Sequence, residues 1–229
     1  MESNKTKTIL KGSAPIQNQE NGVTVSGFIT AVSQYFNKES KVNIEHFNPT
    51  HSYIGVSNSS INFTGNANMS FSTEVKGSIV QNPLIKDIGI NSEKMYVPKE
   101  LEKRLRFLRR LFADESDYPA VLQKLKDINI KTSGNVQQSN TPNKSKVLLE
   151  REHDFAPINF TIQVPLFQGD NTPYRFTVSI YADVTDTGAK LWLEAIDLDH
   201  LFETEKEKII LAEIKILERL GFPIIFGVN

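Results

Sequence analysis

The densest chemistry-bearing pattern in the chain is "PKELEKRLRFLRRLF" (98–112), where six basic residues face two acidic ones. At 100° per residue, Lys99, Lys103, Arg106 and Arg110 fall within about 60° of one another, and Leu101, Leu105, Leu108 and Phe112 take the opposite side. A ridge whose neighbours are about 5–6 Å apart can follow the phosphates of a polyanion, and phosphate contacts make binding strongly salt-dependent. The same spacing also describes a solvated or subunit-contacting face, with Glu100 and Glu102 offsetting charge and basic residues favoured near a helix C-terminus. Phe107 and Leu111 add a second apolar ridge, so the helix is expected to be buried on two sides.

Other clusters are weaker. In "DLDHLFETE", Asp197, Asp199, His200 and Glu203 combine carboxylates with an imidazole, a divalent-metal chemistry, but acidic residues are also favoured around helix N-termini. His46 and His51 in "HFNPTH", and Glu150 to Asp154 in "EREHD", lack compelling ligand spacing. Tyr53, Phe63 and Phe71 could stack bases on a sheet surface, although strand alternation makes them ordinary core. There is no G-x-S-x-G, no Ser-x-x-Lys in a suitable context, and no glycine-rich loop between strand and helix. No catalytic residue, resident metal or cofactor is expected.

The elements that must position the ridge are segregated by type. Residues 1–21 read as a flexible arm without a signal-peptide core, and "SGFITAVSQYFN" as a short helix capped by Ser26. From Lys41 to Val80, β-prone runs separated by "NPTH", "NSS" and "GNAN" predict an antiparallel meander. Pro98 opens the basic helix, expected to end near Phe112, and Pro119 a second helix carrying Val121, Leu122, Leu125 and Ile128. Residues 132–156 form an expected mobile loop or linker. Beyond it, "INFTIQVPLF", "YRFTVSIYADV" and "KLWLEAIDL" alternate as three strands in series. "ETEKEKIILAEIKILERLG" is a long helix with Ile210, Ile214 and Leu217 on one stripe and Gly221 as its C′ residue, and "FPIIFGV" a short buried strand. The expected class is α+β, with 157–229 packed on 22–131 as one domain.

Composition sets limits on partners. A net charge of −1 gives no global field toward nucleic acid or anionic lipid, so any polyanion must be held locally. The absence of cysteine removes disulfides, thiolate zinc sites and cysteine nucleophiles, and suits a reducing compartment. No apolar run approaches the roughly 18 residues of a membrane span, and the sequons at Asn62 and Asn159 carry little weight without a secretory route.

The stretch from Phe155 to Asn229 resembles the end of an uncharacterised prophage-encoded family, the YfdQ-like proteins. There an F-x-I-x-I-P-x-F-x-G strand and loop precedes a hairpin, a long helix and a closing G-x-P-x-x-x-G. The matching positions are Phe160, Ile162, Val164, Pro165, Phe167 and Gly169, then Gly221, Pro223 and Gly227, with Val164 departing from the family's isoleucine. The resemblance covers this third of the chain well and the central helices loosely. It implies a shared fold and a phage protein acting in the bacterial host cytoplasm, in phage DNA metabolism or against host defence. The leading expectation is a phage accessory protein that acts by binding single-stranded nucleic acid through Lys99, Lys103, Arg106 and Arg110. The alternative is an assembly or interaction protein, a virion component or an inhibitor of a host protein, that contacts itself as a homo-oligomer or contacts that protein. A metal-dependent enzyme is third.

Overall fold

A computed structural model of the protein describes residues 7–9, 23–37, 42–68, 71–139, 156–185 and 188–227. In chain order these form strands β1 (Lys7–Ile9) and β2 (Thr24–Phe28), helix α1 (Ala31–Tyr35), and strands β3 (Tyr53–Val56), β4 (Ser60–Asn68) and β5 (Phe71–Ser78). Helices α2 (Pro83–Ile88), α3 (Pro98–Phe107) and α4 (Asp117–Ser139) come next. Strands β6 (Ile158–Pro165), β7 (Pro173–Thr185) and β8 (Gly188–Glu194), helix α5 (Leu198–Leu217) and strand β9 (Ile224–Phe226) complete the chain. The protein is α+β. It forms two compact units, one from 1–81, 167–170 and 200–229, the other from 82–166 and 171–199. Each draws on both sides of the 132–156 stretch.

The first unit is built on a six-stranded sheet in the order β1-β2-β5-β4-β3-β9. The expected meander is present: β3 pairs antiparallel with β4, and β4 with β5. Parallel partners flank it, β2 beside β5, β1 beside β2 and β9 beside β3. Alternation buries Ile61, Phe63 and Val75. Phe36, Phe222 and Phe47 close around Phe63 with ring centroids 4.8, 5.0 and 5.2 Å away, so Phe63 is core and not a base-stacking platform.

Three expectations are corrected in this unit. Residues 24–28 are a strand, and the helix after them spans only Ala31–Tyr35. β-Branched Thr24 and Val25 with Gly27 suit a ladder with β5 better than a helical turn. Gly77, opposite Gly27, permits the approach, because a Cβ there would lie 2.6 Å from the Ile29 carbonyl oxygen. Lys7–Ile9, inside the expected flexible arm, is a strand. Finally, β9 is a sheet edge whose Ile225 and Phe226 are exposed, not a buried strand.

The second unit holds the antiparallel sheet β6-β7-β8, with Phe160 opposite Val178 and Ile180 opposite Leu193. The inner face is apolar, and α3 and α4 bring Leu101, Leu105, Val121, Leu125 and Ile128 to the core. Both sheet edges are covered. Phe112 bridges Ile162 beside β6, and Tyr96 bridges Leu191 beside β8 with reciprocal 2.8 Å backbone hydrogen bonds. α4 continues through Ser139, so residues 132–139 of the expected loop are helical, while 140–155 lie outside the described residues. Among the described residues, no helix is long and apolar enough to cross a membrane.

Candidate nucleic-acid interface

α3 starts where the sequence places it, with Pro98 at its first turn, where the missing N–H costs nothing. Leu101 and Leu105 are buried and set its rotation on the unit's core. It ends five residues earlier than Phe112. Leu108 N donates to the carbonyls of Leu105 and Arg104, at 3.1 and 3.3 Å, and the chain tightens into a 3-10 turn over Arg109–Leu111. The tightening follows from the sheet edge. Phe112 must bridge Ile162, and Ala113 N donates to the Thr161 carbonyl at 2.9 Å, which takes the backbone off the helical path.

This break sorts the six basic residues into two roles. Arg104 is half-buried and donates from Nη2 to the Asp87 carbonyl, tying α3 to the end of α2. Arg109 lies 5.4 Å from the Tyr118 ring centroid, a cation–π contact to the start of α4. Lys99, Lys103, Arg106 and Arg110 are exposed. The first three share one arc of α3, whereas Arg110 is delivered by the 3-10 turn and leaves the ideal helical register. Arg106 pairs with Glu102 at 2.5 Å, and that hydrogen bond raises its guanidinium above the ordinary pKa. Among the described residues, Lys99, Lys103 and Arg110 carry no ion pair, leaving their charge for an external anion.

The expected second apolar ridge is not buried. Phe107 is 85% exposed, and Leu111 is only half-buried. Phe107 follows Lys103 by four residues, which puts the two positions on neighbouring turns of the same helical face, next in sequence to Arg106. A large aromatic left in water within a cationic arc is the feature that sequence reasoning missed. Its signal was present in the i, i+4 spacing to Lys103, but Phe107 was read with Leu111 as a second apolar ridge.

The remaining candidates separate. Asp197, Asp199, His200 and Glu203 are all exposed, and Glu203 pairs with Lys206 at 2.5 Å. Among the described residues, no group of three His, Cys, Asp or Glu side chains is placed to hold a metal ion. His46 and His51 are exposed, and Glu150 to Asp154 lie outside the described residues. A different aromatic pair occupies a sheet surface: Tyr181 and Trp192 stack at 5.7 Å on the outer face of β7 and β8, with Trp192 Nε1 donating to Glu194 Oε1 at 2.8 Å.

Glu213 carried no sequence-based expectation. It lies within the Ile210–Ile214–Leu217 stripe of α5 and is 1% exposed. Ser33 N donates to its Oε1 at 3.2 Å, and among the described residues Oε2 has no hydrogen-bond partner. Burial pushes its pKa above the usual carboxylate range, and hydrogen bonding from Ser33 opposes that only in part.

The glycines of the two C-terminal motifs, Gly169, Gly221 and Gly227, all take positive φ, between 76° and 90°. Those motifs therefore encode turns. Comparison of the chain with protein-family models, curated proteins and solved structures found no match.

Proposed function

We propose that the protein acts by binding rather than catalysis, and that the surface of α3 and its following 3-10 turn contacts single-stranded nucleic acid. The observation that supports this most is Phe107, 85% exposed beside Lys103 and Arg106. A solvated basic face gains nothing from an exposed phenyl ring, whereas single-strand binders combine cations that follow the backbone with aromatics on which bases stack. Lys99, Lys103 and Arg110 would take phosphates directly, and Arg106 would exchange its exposed pair with Glu102, worth little in water, for a further phosphate. With the rest of the chain net negative, no second field competes for the ligand. Duplex grooves are read by an inserted helix or ribbon, but a ring at the end of a short helix suits unstacked bases better. The C-terminal resemblance supports a phage or prophage setting in the host cytoplasm, in which this activity would serve phage DNA metabolism.

The test is a binding series. Four phosphate contacts on a single strand give a slope of about −2.8 in log affinity against log salt, or about a 50-fold loss for a fourfold rise in salt. Replacing Lys103, Arg106 and Arg110 together by Glu is expected to abolish binding at low salt while leaving the circular dichroism melt in place. Absence of binding by the parent protein at low salt, or binding that survives the triple substitution, would overturn the proposal.

A further inference from the structure

β9 closes the six-stranded sheet, and among the described residues its strand neighbour is β3 alone, which leaves its other side open. In that parallel pair, Ile54 N donates to the Pro223 carbonyl and Gly227 N to the Val56 carbonyl, each at 2.9 Å. Backbone groups alternate sides along a strand, so the N–H and C=O groups of Ile224 and Phe226 point away from β3. Proline often blunts an edge by withholding a donor, but Pro223 faces β3 and its missing N–H does not protect the open side. Nor does charge protect it: the strand is Ile-Ile-Phe, with Ile225 44% and Phe226 67% exposed. In the sheet of the other unit, by contrast, each edge strand is bridged by a further segment, Phe112 at β6 and Tyr96 at β8. Beside it runs a groove of about 790 Å³ lined by Phe226, Ile210, Leu211 and Ile214, with Glu203 and Lys206 also in its wall.

We propose that this edge is a dimer interface, in which β9 of one copy pairs antiparallel with β9 of a second about a two-fold axis through Ile225. Ile224 then lies opposite Phe226 of the second copy, each pair exchanges both its hydrogen bonds, and every outward backbone group of the strand is satisfied. Ile225 meets its own image at the close, non-hydrogen-bonded position, forming an apolar cross-strand pair. On the other face, Phe226 covers the second copy's Ile224 and closes over the groove beside α5. The strand's shortness selects this occupant. A free peptide would have to order its backbone for very few hydrogen bonds, whereas a second β9 is already held extended by β3. An isologous contact of this kind closes at two copies.

The experiment is sedimentation equilibrium of the full chain from low micromolar to submillimolar concentration, with hydrogen exchange at the two ends of that range. The expected species has twice the 25.8 kDa chain mass, and the Phe226 amide is protected more as concentration rises. Ile224→Pro removes an outward donor, and Phe226→Asp places a charge opposite the second copy's Ile224. Each acts twice in the dimer and is expected to raise the dissociation constant at least about tenfold. Should Ile224→Pro fail to fold, Phe226→Asp and the concentration dependence of exchange decide the matter. A monomer throughout, a dimer indifferent to both variants, or saturable capture of a free "GFPIIFG" peptide without self-association would each overturn the proposal.

Discussion

Phe107→Ala separates a functional ring from a structural one. The side chain is 85% exposed, so its removal forfeits only about 30 Å² of buried surface out of the roughly 200 Å² a phenylalanine presents. At about 25 cal/mol per Å² the loss is under about 1 kcal/mol, and the better helix propensity of alanine offsets part of it. The melting temperature should fall by less than about 4 °C in a chain of this size. Binding should respond quite differently. Loss of one stacked base contact costs about 1–3 kcal/mol, roughly a 5- to 150-fold weaker affinity. The assay is fluorescence anisotropy of a labelled oligothymidine at several salt concentrations. Since no charge is removed, the salt slope should match the parent, whereas Lys103→Met should flatten it by about 0.7. Phe107→Trp keeps a π face and should retain affinity. Affinity of Phe107→Ala equal to the parent, with the fold intact, would show that the ring does not stack on bases and refute the reasoning.

Two further perturbations probe the scaffold. Glu213 has a folded-state pKa raised by burial, so native protein holds its proton longer than the unfolded chain. Stability from this group is complete below the unfolded carboxylate value and is lost as pH rises toward the raised one. Glu213→Gln should remove that decline and exceed the parent by about 1 kcal/mol at pH 8, with the difference vanishing near pH 4, as read by urea unfolding at both values. Asn91 takes φ of 49°, its Nδ2 donates to the Ala195 carbonyl at 3.0 Å, and Ala195 N donates to its Oδ1 at 2.7 Å. Asn91→Ala loses both bonds and keeps the strained backbone, at a cost of about 2–3 kcal/mol, while Asn91→Gly relieves only the strain and should fall between.

Much of the architecture was legible because it rests on local periodicity. Alternating Phe160, Ile162 and Val164 declared β6, the Ile210–Ile214–Leu217 stripe and Gly221 declared α5 and its stop, and Pro98 the start of α3. These depend on neighbours a few residues away, and the α+β class follows from their segregation. Residues 26–28 were misread because both Phe28–Ile29–Val32 spacing and a β pattern fit them. A parallel partner some fifty residues distant, with glycine facing glycine, decided for the strand. The candidate interface divided in the same way. The sequence alone determined that Lys99, Lys103 and Arg106 share a helical arc, because 100° per residue is a property of the backbone. Only tertiary structure decided that Phe112 must reach Ile162, which ended the helix at Phe107, moved Arg110 onto a tighter turn and left the Phe107 ring in water. Burial is a property of what else arrives at a surface, and among the described residues no strand reaches the outer side of β9 and little covers the Phe107 ring.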